Sequence, residues 1–217
     1  MVDLAALDQR VRACTVCALA ATRTNAVPGE GSPTARVLFV GEGPGYNEDR
    51  QGRPFVGAAG SFLNQMLGSI GLAREDVYIA NMVKCRPPQN RDPFPNELAA
   101  CAHFLDEQIA LIAPQVIVPL GRHALSRWFP DGSISRLRAK AQRVDGQLIF
   151  PLYHPAAALH NGSLRATIEA DFRALGDLLA ILEAPAPPTT HHSPTEPPAH
   201  RPDNGEPPDA GSQLPMF

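Results

Sequence analysis

The sequence predicts an α/β fold, a three-layer α/β/α sandwich on a mostly parallel four-stranded sheet. Four short runs are almost wholly apolar: RVLFVG (36–41), DVYIAN (76–81), QVIVPLG (115–121) and QLIFPLYHP (147–155). Such runs suit strands covered on both faces. Between and after them the apolar spacing turns helical. Residues 96–113 set Leu98, Ala102, Leu105, Ile109 and Ile112 three or four apart before Pro114, and residues 163–182 do the same with Leu164, Ile168, Phe172, Leu175, Leu179 and Leu182. Strands alternating with helices close into a parallel sheet with helices on both faces. In such sheets ligands bind beyond the carboxyl ends of the strands, where this chain places Gly41 to Gly45, Asn81, and His154 with Pro155. Three polar elements distant in sequence therefore converge on one edge.

The 217 residues, 44% hydrophobic, suffice for one domain and a substantial core. From Ala184 onward the composition changes, with ten of the 23 prolines and almost no large apolar residue before the last four positions. We expect residues 1–183 to fold and 184–217 to form a disordered tail. The tail holds four acids and one Arg, leaving 18 basic and 18 acidic side chains in the folded part. Attraction to nucleic acid therefore needs a local patch, such as Arg136, Arg138, Lys140 and Arg143, because net charge supplies none. No segment approaches a membrane span, and the amino-terminal residues lack the basic start and apolar stretch of a secretory leader, so a cytoplasmic protein is expected. In a reducing compartment Cys14, Cys17, Cys85 and Cys101 point to metal ligation before disulfides, with unrelated cysteines as the plain alternative.

The stretch GEGPGYNEDRQGRPFVGAAG (41–60) removes side chains from a turn that follows the first strand. It fails as a dinucleotide fingerprint, since Pro44 lacks an amide donor and the last glycine is missing, and it lacks the Gly-Lys-Ser/Thr ending of a P-loop. A merely tight turn remains the bland reading, weakened by Phe55 in so polar a loop. The cysteine spacing, one close pair and two singles, is poor for a zinc ribbon and compatible with an iron-sulfur cubane. Lys84, Arg86 and Arg91 beside Cys85 suit either thiolate charge or phosphates. A lone His before a proline is ordinarily a core residue, but His154 sits at a strand end.

Taken in order, Cys-x-x-Cys, GEGPG, GRPFVGAAG, NMVKCRPPQNR, IVPLG and YHPA resemble the family 4, iron-sulfur uracil-DNA glycosylases over residues 8–182. The resemblance implies a [4Fe-4S] cluster on Cys14, Cys17, Cys85 and Cys101, and excision of uracil from DNA without a nucleotide cofactor. Extruded uracil would stack on Phe55, be read by Asn81, meet backbone near Gly43, and have its C5 side closed by Glu48. His154 would stabilise charge on the departing base. The water-orienting Asp of better-known relatives aligns with Gly43, so Glu42 becomes the candidate. Arg86 and Arg91 would touch DNA, and Leu159 would wedge into the vacated stack. The final QLPMF resembles peptides that dock on the DNA polymerase sliding clamp, with Gln213, Leu214, Met216 and Phe217 as anchors. A monomer is expected. A covalently trapping relative is disfavoured by RPPQNR, which lacks the required His. A non-catalytic damage binder or redox module would need neither Asn81 nor His154.

Overall fold

The computed structural model describes residues 3–183. The clamp-peptide residues Gln213, Leu214, Met216 and Phe217, with the rest of 184–217, lie outside the described residues. The strands are β1 (Glu30–Gly31), β2 (Val37–Gly41), β3 (Tyr78–Asn81), β4 (Val116–Pro119), β5 (Gln142–Val144) and β6 (Gln147–Ile149), and the helices are α1 (Leu4–Ala13), α2 (Tyr46–Gln51), α3 (Ala58–Ser69), α4 (Pro95–Ile112), α5 (Gly121–Leu125), α6 (Ile134–Leu137), α7 (Ala156–His160) and α8 (Arg165–Glu183). The sheet runs in the order β1-β3-β2-β4-β6-β5. Its four central strands pair in parallel, while β1 and β5 are antiparallel edges.

The sheet thus has six strands where the sequence predicted four. Both additions are short and partly exposed, so they carry no apolar run. The fourth predicted run also stops early as a strand, at Ile149. Pro151 lacks an amide donor, yet parallel pairing resumes past it: Leu152 N–H donates to Pro119 O at 2.9 Å and Gly121 N–H to Leu152 O at 2.8 Å.

Alternate residues of the central strands face opposite layers, as the period of two requires. Phe39, Ile79 and Val118 pack with Leu63 and Leu67 of α3 and with Phe172 and Leu175 of α8. Leu38, Val40, Ala80 and Ile117 pack on the other side with Leu105, Ile109 and Ile112 of α4. Three layers result, as predicted. A third cluster joins Leu7 and Val11 of α1 to Leu19, Phe104 and all four cysteines, outside the sheet. Pro95 opens α4 without losing an intrahelical bond, and the Glu97 carboxylate accepts from Phe94 N–H at 2.8 Å to cap the first turn.

Candidate active site

At the carboxyl ends of β2 and β3, register decides what meets. Gly41 and Asn81 are parallel neighbours. A Cβ at Gly41 would stand 2.3 Å from Asn81 Oδ1 and 2.8 Å from the Phe55 ring, so only glycine lets both side chains occupy the strand end. Beyond the strands the pairing continues, with Met82 N–H donating to Gly41 O and Val83 N–H to Glu42 O. The turn is therefore braced by backbone.

Phe55 adopts a left-handed conformation, φ 49°, unusual for a bulky residue. Its surroundings over-determine that backbone. Arg74 donates to its carbonyl at 3.1 Å, Glu48 Oε1 accepts from the amides of Val56 and Gly57 at 2.9 Å each, and a Cβ at Gly60 would collide with its carbonyl oxygen. The ring meets His154, centroids 5.4 Å apart and planes 30° from parallel. His154 follows the pairing of Leu152 with Pro119, and a Cβ at Gly121, whose φ is 84°, would crowd the His154 Cβ at 3.0 Å.

These residues surround a cavity of about 460 Å³, with Glu42, Gly43, Glu48, Phe55, Asn81 and His154 all in its wall. Every predicted base-contacting residue is brought together. Asn81 is only 2% exposed, and its Oδ1 has no hydrogen-bond partner within the protein. Leaving a buried acceptor unpaired costs about 1–3 kcal/mol, which a ligand donor recovers. His154 Nδ1 accepts the Ala156 N–H at 3.2 Å, which leaves Nε2 as the protonated nitrogen of the neutral ring. Burial pushes its pKa down to about 4 against the opposing pull of Glu48, so the ring is neutral at physiological pH.

Glu42 is held from outside the cavity. His123 Nε2 lies 3.7 Å from its carboxylate and 3.2 Å from that of Asp92. Burial raises the pKa of Glu42 and Asp92 adds to the rise, while His123 and Arg122 oppose it. Sequence spacing gave no sign of this contact, because Glu42 and Asp92 come from separate loops and His123 from α5. Asn90, Arg91 and His160 also line the cavity. Arg91 is committed: it makes a bidentate pair with Glu97 at 2.7 and 2.8 Å and lies 3.7 Å over the Phe94 ring. Arg86 donates to Asn90 Oδ1 at 2.7 Å and pairs with no carboxylate among the described residues. Leu159, on α7 beside the cavity-lining Ala156 and His160, is 51% exposed. In the basic patch, Arg138 is tied to Asp171 and so is not a free cation.

The four cysteines gather where α1, the 85–101 segment and α4 meet. A single zinc ion with Zn–S bonds of about 2.3 Å would draw its sulfurs to roughly 4 Å apart. Among the described residues, the group of three or more potential ligands within 4.8 Å of one another is Glu42, Asp92 and His123, so the thiols spread wider than one ion requires. A polynuclear group fits that spread. Arg23 Nη1 donates to Cys85 Sγ at 3.0 Å and the Lys84 amide to Cys101 Sγ at 3.3 Å, contacts that favour thiolates. Burial otherwise pushes the Cys101 thiol up to about 11. Lys84, an expected cation, is buried and donates its Nζ to Asn81 O and Gln108 Oε1, and its charge still pulls the Cys101 thiol down. Arg23, far away in sequence, takes the place beside Cys85.

The model of the Uracil DNA glycosylase superfamily matches residues 28–176. The chain is 48% identical over 188 residues to a Type-4 uracil-DNA glycosylase of Sulfurisphaera tokodaii, covering 82% of this chain and 86% of that protein. It is 51% identical over 161 residues to one of Thermotoga maritima, covering 72% and 83%. A Type-5 uracil-DNA glycosylase of Thermus thermophilus is 40% identical over 114 residues, covering 46% and 52%. With the glycine turn, the Asn81 strand end and His154 all inside the residues that the superfamily model matches, and with these type-4 identities over most of the chain, the chain belongs to the type-4 family of the uracil-DNA glycosylase superfamily.

Proposed function

We propose that this protein flips uracil out of DNA and hydrolyses its N-glycosidic bond, leaving an abasic site for base excision repair. The unpaired Asn81 Oδ1 in the wall shared with Phe55 and His154 carries the reading. Uracil N3–H would donate to Oδ1 while the Asn81 amide donates to O4. Cytosine reverses both groups and leaves the amide mispaired, which a buried polar site rejects strongly. Phe55 supplies a stacking face, and the fixed turn under it means the slot needs no rebuilding on entry. The deciding assay offers uracil in U:G, U:A and single-stranded oligonucleotides and follows release of the free base.

As the bond lengthens, the sugar becomes oxocarbenium-like and negative charge gathers on uracil N1 and its neighbouring O2. Neutral His154 meets that charge through Nε2–H and transfers no proton. Such a donor, preorganised in a dry site, stabilises the transition state more than the ground state. Glu42, held by His123, would orient the attacking water and needs its carboxylate ionised. Gly43 leaves room for water and sugar because no side chain intrudes. Arg86 would meet a phosphate, Arg91 would do so while bound to Glu97, and Leu159 would fill the gap left in the stack.

His154→Ala should lower single-turnover excision about 100- to 1000-fold, the usual loss for one oxyanion donor, with binding much less altered. The pH profile tests the protonation state. A pKa lowered to about 4 leaves roughly one ring in a hundred charged at pH 6, so the His154-dependent rate should stay flat near pH 6.5 and fall as pH drops toward 4. An inflection near 6.5 that vanishes in the alanine variant would count against a neutral donor.

Glu48 would close the slot to the thymine methyl, and its carboxylate also holds the amides after Phe55. Glu48→Ala should therefore slow uracil excision while raising the thymine-to-uracil ratio. An unaltered ratio removes Glu48 from discrimination.

We further propose a [4Fe-4S] cluster on Cys14, Cys17, Cys85 and Cys101, supported by the wide thiol spread and the Arg23 contact. Its task would be structural, bracing the segment from Cys85 to Cys101, which contributes cavity-lining residues; hydrolysis requires no electron. Anaerobically purified protein should show broad visible absorption and about four irons per chain, and a colourless zinc protein would refute the assignment. For the carboxyl-terminal QLPMF we keep the sliding-clamp reading: removal of residues 213–217 should abolish clamp capture and leave uracil excision intact, and undiminished capture would end it.

A further inference from the structure

Seven arginine guanidiniums lie over aromatic rings in the described structure. Five of the seven also bind a carboxylate, which neutralises them where they stand. The two that do not, Arg50 and Arg86, share one ring. They stand 6.0 and 5.1 Å from the centroid of Tyr46, whose side chain is among the most exposed large apolar groups at 54%. An open ring with two free cations is unusual in a folded domain whose charges otherwise balance.

Its place is what assigns it. Tyr46 opens α2 directly after Gly45, and Arg86 directly precedes Pro87; both neighbours line the cavity. The Tyr46 ring and Arg86 are thus one residue outward from the wall, over which the strand would pass to deliver its base. Arg86 is set in place by Asn90 Oδ1, while Arg50 comes from the next turn of the same short helix as Tyr46. An aromatic face beside guanidiniums is the combination that holds single-stranded nucleic acid: bases stack on the ring and phosphates meet the charges.

We propose that Tyr46 is a stacking platform for the base adjacent to the extruded uracil, with Arg50 and Arg86 binding the phosphates that flank it. The site reads no sequence, because every base has a face to stack. It would grip the strand that has lost its own stacking partner, and so offset part of the cost of extrusion. The proposal rests on the cavity being the uracil slot.

The test uses the full chain and a single-stranded oligonucleotide carrying one 2′-fluoro-2′-deoxyuridine, which resists excision. Base–aromatic stacking is worth about 1–3 kcal/mol by alanine substitution, so Tyr46→Ala should raise Kd roughly 5- to 150-fold, and Tyr46→Phe by less than about threefold. Replacing the flanking bases one at a time by an abasic spacer should weaken wild-type binding at one position and leave Tyr46→Ala indifferent there. Arg50→Ala and Arg86→Ala should each flatten the dependence of log Kd on log salt by about 0.7. A Tyr46→Ala Kd within twofold of wild type, or equal spacer sensitivity in both proteins, overturns the platform. Wild-type protein that releases no uracil from the ordinary substrate sinks the slot reading instead. Because Tyr46 is exposed, an unchanged far-UV spectrum suffices to show that the variant is folded.

Discussion

The site depends on the parallel pairing of β2 with β3 in the register that sets Gly41 beside Asn81. Shifting a strand by one residue turns every side chain to the opposite face, so no neighbouring register would send the Asn81 amide to the same place. The missing Cβ at position 41 is the other half of this constraint, since the amide and the Phe55 ring meet in the space it vacates. Apolar packing on both faces holds the register. The selective chemistry of the slot is thus inherited from the burial of Phe39 and Ile79 on one side and of Leu38 and Ala80 on the other.

The central strands and the two long helices were legible because their periodicities are written in apolar residues, and the observed ends of β2, β3, β4, α4 and α8 fall within two residues of the predicted ones. The edge strands were not, for they bury little. One usable signal was present: Asp145 and Gly146 both take positive φ between β5 and β6, and Asp-Gly is a two-residue hairpin turn by composition. The convergence of the Gly41–Gly45 turn, Asn81 and His154 followed from the rule of strand carboxyl ends, and the place of Phe55 from the family resemblance. The approach of His123 to Glu42 and the hold of Arg23 on Cys85 did not, because contacts between segments distant in sequence leave no local pattern.

Charge in this protein is mostly spent internally. Arg91 serves Glu97, Arg138 serves Asp171, and Lys84 lies under the sheet end, donating to a backbone carbonyl. Adjacency to a cysteine in sequence therefore found Lys84, whose charge favours the Cys101 thiolate, but missed Arg23, which touches Cys85. The same internal pairing makes the exceptions informative, since a guanidinium without a carboxylate near the cavity stands out against a neutral background.

The left-handed backbone at Phe55 is fastened by Arg74, Glu48 and the close approach of Gly60. The backbone that carries the ring is thus set before anything arrives. If the cavity is the uracil slot proposed above, discrimination would be rejection by a largely preset mould: a wrong nucleobase would return to the helix without having reshaped its host.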